Sequence, residues 1–300
     1  MKTLLHTLIS LLALNSYAQN VNLPDANFKA YLVGNTAINT NADTEIQVSE
    51  ATAFGGAIEC PGLSISDLTG IEAFTDLTEL DCDANQLTSL DVSNNTALTS
   101  LMCYDNQLTS LDVSGATELT TLRCEVNQLT SLDVTNNTDL FGLGFSNNQL
   151  TSIDLTQNAV LSYLLCNNNQ LTSLDVTQNT DLIELNCKNN QLQCLNMKNG
   201  NNTFFFYLLA FGNPNLNCIE VDDVTWSNAN WTNIDTQMYF SSYCNNACSS
   251  VVGINELSNT TKQLLKIVDL MGRETIYKPN TVLIYVFDDG SAEKVFKVEL

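Results

Sequence analysis

From Leu77 onward the chain places apolar residues on a strict schedule, in columns 21 residues apart. Leu77, Leu98, Leu119, Leu140, Leu161 and Leu182 form one column, and Leu80, Leu101, Leu122, Leu143, Leu164 and Leu185 the next. A third holds Cys82, Cys103, Cys124, Phe145, Cys166 and Cys187, followed by a polar column of Asn85, Asn106, Asn127, Asn148, Asn169 and Asn190, then Leu87 and its equivalents. Each copy also echoes itself, because LTELDCDANQ is followed by LTSLDVSNNTA. A unit this short cannot bury its own apolar edge, so the copies must stack, with parallel strands about 4.8 Å apart and each column a continuous ladder. The Leu and Cys columns belong inside. The Asn column is predicted to be internal too, since a buried amide can bridge backbone groups of adjacent coils that would otherwise be unpaired. The echo predicts a second strand-like ladder at Leu90, Val92 and their equivalents on the opposite side, with little or no helix.

The motif LxxLxCxxNxL resembles the leucine-rich repeat signature, with Cys as the third apolar residue, and its nested spacing is similar to that of bacterial surface proteins of this class. The resemblance implies a β-rich solenoid of parallel strands, with a small N-terminal helical cap and a small C-terminal β module. The solenoid is expected over residues 55–226, regular over 77–199, with Cys60–Asp76 as a divergent first coil. The stretch GNNTFFFYLLAFGNPNLNCIEVDD inserts three residues and recovers the pattern through Leu208, Asn213 and Leu216. A terminal cap is expected at 227–250. Aromatic residues gather at this end (Phe204, Phe205, Phe206, Tyr207, Phe211, Trp226, Trp231, Tyr239, Phe240 and Tyr243), as a seal on the solenoid or a platform for stacking carbohydrate.

At the other end, Lys2, the apolar run Leu4–Leu14 and the small-residue exit at Ser16-Tyr17-Ala18 read as a secretory signal peptide, residues 1–18. No later apolar run approaches the roughly 18 residues a membrane helix needs, so an exported protein without a transmembrane segment is expected. Residues 19–54 form the N-terminal cap, with helical spacing in LPDANFKAYLV. In residues 254–300, alternating apolar residues with DG turns suggest a small β module. There Asp269-Leu270-Met271-Gly272-Arg273, then Leu283-Ile284-Tyr285 and a Lys-containing last strand, resembles the C-terminal sorting domain of type IX secretion substrates, found in the Bacteroidetes. That resemblance implies engagement of the secretion machinery through residues 254–300 and release or anchoring at the outer-membrane cell surface.

Export permits disulfides. Cys60, Cys82, Cys103, Cys124, Cys166 and Cys187 fall on the inward ladder, where cysteine acts as a small hydrophobe, and read as free thiols. Cys194, Cys218, Cys244 and Cys248 allow three pairings. The preferred bond is Cys218 with Cys244, tying the cap to the final coil; Cys194 with Cys218 is the alternative.

Two segments raise the question of Ca2+. Counted as a 12-residue EF-hand loop, Asn39–Glu50 puts Asn39, Asn41 and Asp43 at ligand positions 1, 3 and 5, the Glu45 carbonyl at 7 and Glu50 at the bidentate position 12. Position 1 is normally Asp and position 6 Gly, where this chain has Asn39 and Thr44, so a structural cap loop is the competing reading. The column Asp91, Asp112, Asp133, Asp154 and Asp175 stacks like charges at strand spacing. Hydrogen bonds to nearby backbone amides are the local compensation; a row of bound Ca2+ is the alternative, without the glycines such rows use.

The formal charge of −22 changes the list of partners. Between Ala30 and Thr261 the basic residues are Arg123, Lys188 and Lys198, a surface that repels nucleic acid and anionic lipid. The single histidine is His6, so catalysis by imidazole and most zinc sites are excluded downstream of the signal peptide. Two-carboxylate chemistry survives formally, but the acidic residues come in ladders, and a non-enzymatic protein is expected. What repetition leaves free are the outward columns beside each strand core. Met102, Tyr104, Arg123, Tyr163 and Leu165 are residue types that dominate interface energetics, and form the candidate ligand-binding face for an extracellular protein or glycan. A cation-stabilised structural component of the cell surface is the first alternative, a carboxylate glycosidase the second.

Overall fold

The computed structural model describes residues 19–244, 248, 264–268, 273, 282–287 and 292–296. The expected signal peptide at 1–18 and most of the expected sorting segment, including residues 269–272, lie outside the described residues. The chain divides into two compact units, Met1–Ser250 and Val251–Leu300.

The first unit is a parallel-strand solenoid of about 21-residue turns. Its strands, numbered along the chain, are β1 (Ala57–Glu59), β2 (Glu79–Asp81), β3 (Ser100–Met102), β4 (Thr121–Arg123), β5 (Gly142–Gly144) and β6 (Tyr163–Leu165). They continue with β7 (Ser173–Asp175), β8 (Glu184–Asn186), β9 (Cys194–Asn196), β10 (Tyr207–Leu209), β11 (Cys218–Glu220) and β12 (Tyr239–Ser241). One parallel sheet runs β1-β2-β3-β4-β5-β6-β8-β10, and a second runs β12-β11-β9-β7. The register follows the repeat: Leu80 pairs with Leu101, Leu101 with Leu122, and so on to Leu208. Each of these central leucines is buried and its neighbours in the strand face the other way, as the period of two requires.

From β2 on, the corner after each strand of the first sheet has one residue in the left-handed region: Ala84, Asp105, Val126, Asn147, Asn168 and Asn189, then Gly212. Asn and Gly suit that conformation; Val126, at φ 53, is a β-branched exception. The next residue is the inward Asn. Asn148 shows its work: Nδ2 donates to the carbonyls of Cys124 (3.0 Å) and Phe145 (3.0 Å), while Oδ1 accepts the amide of Leu129 at 2.9 Å. Asn106, Asn127, Asn169 and Asn190 repeat the pattern. A second buried amide column, Asn95, Asn137, Asn158 and Asn179, donates to carbonyls of the preceding coil, a role the sequence reading did not assign. The six ladder cysteines are buried and free. Burial pushes their thiols up, those of Cys60 and Cys187 to about 12, which makes them inert at neutral pH.

Two features differ from the sequence reading. The second ladder forms regular strands only from Ser173 onward; earlier coils keep Leu90, Leu111 and Leu132 buried and show a single bridge, Asp91 with Asp112. The parallel stack also runs past the expected limit at 226, because β12 pairs with β11 through Phe240 and Ile219.

Both ends are covered. Helix α1 (Ala26–Gly34) buries Phe28 and Leu32. Its N-cap Asp25 accepts the Asn27 and Phe28 amides and, with its other oxygen, the amide and hydroxyl of Ser66, joining helix to first coil. Helix α2 (Val48–Ala53) follows. At the far end α3 (Val224–Asn230) leads into a cluster in which Trp231 meets Phe205, Trp226 and Phe240 at ring-centroid distances of 5.3, 5.4 and 5.7 Å. Disulfides join Cys218 to Cys244 and Cys194 to Cys248. The alternative bond, Cys194 to Cys218, is not formed. The second unit holds a three-stranded antiparallel sheet of β13 (Leu264–Val268), β14 (Val282–Phe287) and β15 (Ala292–Phe296).

Candidate functional site

The outward side of the eight-stranded sheet carries three side-chain columns, two from within each strand and one from the residue two beyond it. Because they sit on hydrogen-bonded coils, their residues are fixed at strand spacing, about 4.8 Å apart. The face has two chemically different halves.

In the half formed by β2 to β4 the contacts are polar. Interaction with the buried Asp83 carboxylate pushes the Tyr104 phenol above the usual range. Arg123 lies over the Tyr104 ring, 5.1 Å from its centroid, and its Nε and Nη2 both donate to Glu125 Oε1, at 3.1 and 3.0 Å. Glu125 is buried because β5 offers no side chains: its carboxylate lies against Gly144, where a Cβ would collide with it. Burial, with the neighbouring charges of Asp83 and Glu59, raises Asp81.

In the half formed by β5 to β10 the contacts are aromatic. Phe141, just before β5, meets the Tyr163 ring edge-on at 5.2 Å. The backbone ladder continues from Phe141 through Ser162 and Ile183 to Phe206, while Tyr163, Glu184 and Tyr207 are register partners on β6, β8 and β10. Phe141 is 50% exposed, Tyr163 38%, Phe206 82% and Tyr207 46%. Of the predicted set, Tyr104 and Arg123 are thus in contact and Met102 adjoins them on β3. Tyr163 and Leu165 lie across the glycine strand in the other half. Phe141, Phe206 and Tyr207 were not assigned to this face from sequence, though their aromatic type was a signal; the three inserted residues hid the register of the last two.

The aromatic-rich end therefore divides. Phe205, Trp231 and Phe240 are buried in the seal, whereas Phe204, Phe206, Tyr207, Phe211, Tyr239 and Tyr243 are exposed. Lys188 lies over the Phe211 ring at 5.7 Å.

The EF-hand-like loop borders a cavity of about 450 Å³ lined by Thr40, Asn41, Asp43, Gln47 and Glu50 among others. Its oxygens are engaged. Glu50 Oε1 accepts from the Thr40 amide and hydroxyl and the Asn41 amide, and Oε2 from the Gln47 amide. Burial raises the Glu50 carboxyl, but these hydrogen bonds, that from Gln47 first, outweigh it and hold the group below its usual range. Asp43 accepts from the Glu45 amide and from the side chains of Asn41 and Gln47, and Glu45 pairs with Lys29. Asn39 turns its Nδ2 onto the carbonyls of Val33 and Asp43. The left-handed residue is Ala42, at position 4, not Thr44 at position 6, and among the described residues no group of three or more His, Cys, Asp or Glu could hold a metal. The hydrogen bonds describe a self-paired cap loop. Millimolar CaCl2 is expected to leave the thermal midpoint unchanged, while Glu50→Gln, which sets an NH2 against the Gln47 amide, costs about 1–3 kcal/mol; a calcium-dependent rise would show native-state binding instead.

The Asp column is likewise satisfied locally: Asp91, Asp112, Asp133, Asp154 and Asp175 each accept the amide two residues on, at 2.9 Å.

No family profile matches the chain. Its fold is similar to that of an internalin (inlF) from Listeria monocytogenes, with a TM-score of 0.60 at 21% identity over 76% of this chain and 72% of that one. It is also similar to internalin C2 from the same species, with a TM-score of 0.59 at 20% identity over 74% and 97% of the two chains. A stretch of 74 residues, 24% of this chain, is 41% identical to internalin J of Listeria monocytogenes but spans only 8% of that protein. Among the described residues no helix is long and apolar enough to cross a membrane.

Proposed function

We propose that the protein is an exported, non-enzymatic leucine-rich repeat binder that presents the open face of its eight-stranded sheet to an extracellular protein or glycan. The observation that carries this reading is the set of Phe141, Tyr163, Phe206 and Tyr207, exposed in two adjacent columns of one face with Phe141 and Tyr163 in contact, where alternation would otherwise place small polar residues. Large apolar side chains left together on a rigid surface mark interaction sites. The polar half, with Met102, Tyr104 and Arg123, contributes orientation, since its one cation is already paired with Glu125. Leu165 lies in the aromatic half, beside the glycine strand. Export is supported by the residue pattern of 1–18, and surface delivery by the resemblance of 254–300 to a type IX sorting domain.

The test is a screen of the purified chain against arrays of extracellular proteins and glycans. Two variants accompany it: Phe141→Ser with Tyr163→Ser and Phe206→Ser, and Tyr104→Ala with Arg123→Ala. The aromatic variant is expected to lose binding at least about tenfold with unchanged circular dichroism, as for truncation of interface anchors, and the polar variant to lose less. Equal binding by all three proteins would move the binding surface off this face; no binding on either array would favour a structural surface component, and glycan hydrolysis an enzyme.

A further inference from the structure

We infer that Tyr163, Glu184 and Tyr207 form a cation subsite that takes the ammonium group of a lysine side chain from a basic protein partner. The inference rests on the sheet face being the binding surface and names what its aromatic half binds.

Register supplies the first argument. Tyr163 and Tyr207 flank Glu184 on the two adjacent strands of one column, all three at equivalent positions. Two strand steps separate the tyrosines by about 9.6 Å, so a cation seated midway over Glu184 lies about 4.8 Å from each column, within the range at which a ring face attracts a cation. Contact with Phe141 steadies the Tyr163 ring from the far side.

Charge supplies the second. The Glu184 carboxylate makes no hydrogen bond or ion pair with another described residue, its backbone amide being held by the Ser162 carbonyl. The local cations are engaged elsewhere: Arg123 with Glu125, Lys198 with Glu220 and Lys188 over Phe211. A carboxylate left unpaired between two exposed tyrosines, on a chain of formal charge −22, is complementary to a cation and repels an anion. The apolar neighbours Ile183 and Phe206, in the next column, would line the path of the aliphatic stem. A lysine side chain matches both parts, a compact ammonium on a four-carbon stem.

The experiment uses the full chain labelled with 3-fluorotyrosine, titrated with hexalysine at about 0.15 M salt, where charges farther apart than about 8 Å are screened. Saturable shifts are expected at Tyr163 and Tyr207. Tyr163→Leu, Tyr207→Leu and Glu184→Gln should each weaken binding about threefold or more, while Glu118→Gln, which removes the same charge from an exposed turn, should not. Equal weakening by Glu184→Gln and Glu118→Gln would overturn the subsite in favour of diffuse electrostatics. Shifts confined to Tyr104 would overturn the subsite while keeping the sheet face as a binding surface. The absence of any shift on the face, alongside failure of the array screen, would remove both readings. Tetramethylammonium or a glucosamine oligomer competing as well as hexalysine would overturn lysine as the source of the cation.

Discussion

Replacing Asn148 by Ala is expected to destabilise the solenoid by about 3–5 kcal/mol, more than almost any surface change could. The amide joins two adjacent coils. Its removal strands the Leu129 amide and takes one of two side-chain donors from each of the carbonyls of Cys124 and Phe145, which keep Asn127 and Asn169, all inside the stack. A buried polar group deprived of its partner costs about 1–3 kcal/mol, and the two further hydrogen bonds lost add about 0.5–1.5 kcal/mol each. Asn148→Asp should be at least as damaging near neutral pH, since a carboxylate can accept from Leu129 but only repels two carbonyls. It should recover part of the loss at low pH, where the protonated acid regains one donor. Because stability in a repeat array is a sum over neighbouring coils, the defect should split chemical denaturation into two steps, each half of the solenoid unfolding separately. The check is urea unfolding followed by far-ultraviolet circular dichroism. A single transition displaced by less than about 1 kcal/mol, the scale of one ordinary hydrogen bond, would show that water replaces the amide without loss.

The second large effect concerns the disulfides. Cys218 with Cys244 closes 26 residues and Cys194 with Cys248 closes 54. Loop-closure entropy assigns them about 3.5 and 4 kcal/mol respectively in the unfolded-state account. Their location makes the consequence local. Both hold the last coils and the Trp231 cluster against the open end of the stack, and the chain's two tryptophans, Trp226 and Trp231, both lie there. Tryptophan emission therefore reports the cap while circular dichroism reports the repeats. In the oxidised protein the two signals should change together. After reduction, or in a Cys194→Ser, Cys218→Ser variant, emission should shift to the red at lower urea than the circular dichroism changes, as the end coil frays. Coincident transitions in the reduced protein would mean that Trp231, Phe205 and Phe240 hold the cap without covalent help.

The solenoid was legible because its cause is local and repeated. A column of leucines 21 residues apart allows one solution, and the inward Asn follows from the need to satisfy backbone groups at each corner. The candidate site was only half legible. Tyr104, Arg123 and Tyr163 could be placed on one face by counting, and the structure puts them on that face. Counting also put Gly142 and Gly144 in the outward columns between them, but it could not say that Arg123 is spent on Glu125. Phe206 and Tyr207 were harder still, since an insertion breaks the period just before them and only backbone pairing, Tyr207 against Glu184, restores the register.

The sequence by itself determined the parallel stack, the inward ladders of Leu, Cys and Asn, and the absence of histidine chemistry beyond His6. It could do so because each depends on residue type and spacing alone. Tertiary structure decided which outward residues are spare. It separated Phe205 and Trp231, buried in the seal, from Phe206 and Tyr207, exposed on the sheet. It also extended the stack to β12, paired Cys194 with Cys248, and turned Glu50 onto the backbone of its own loop. The reason is physical: whether a side chain is buried, paired or free depends on neighbours one coil away, and those are chosen by how the coils come to rest on one another.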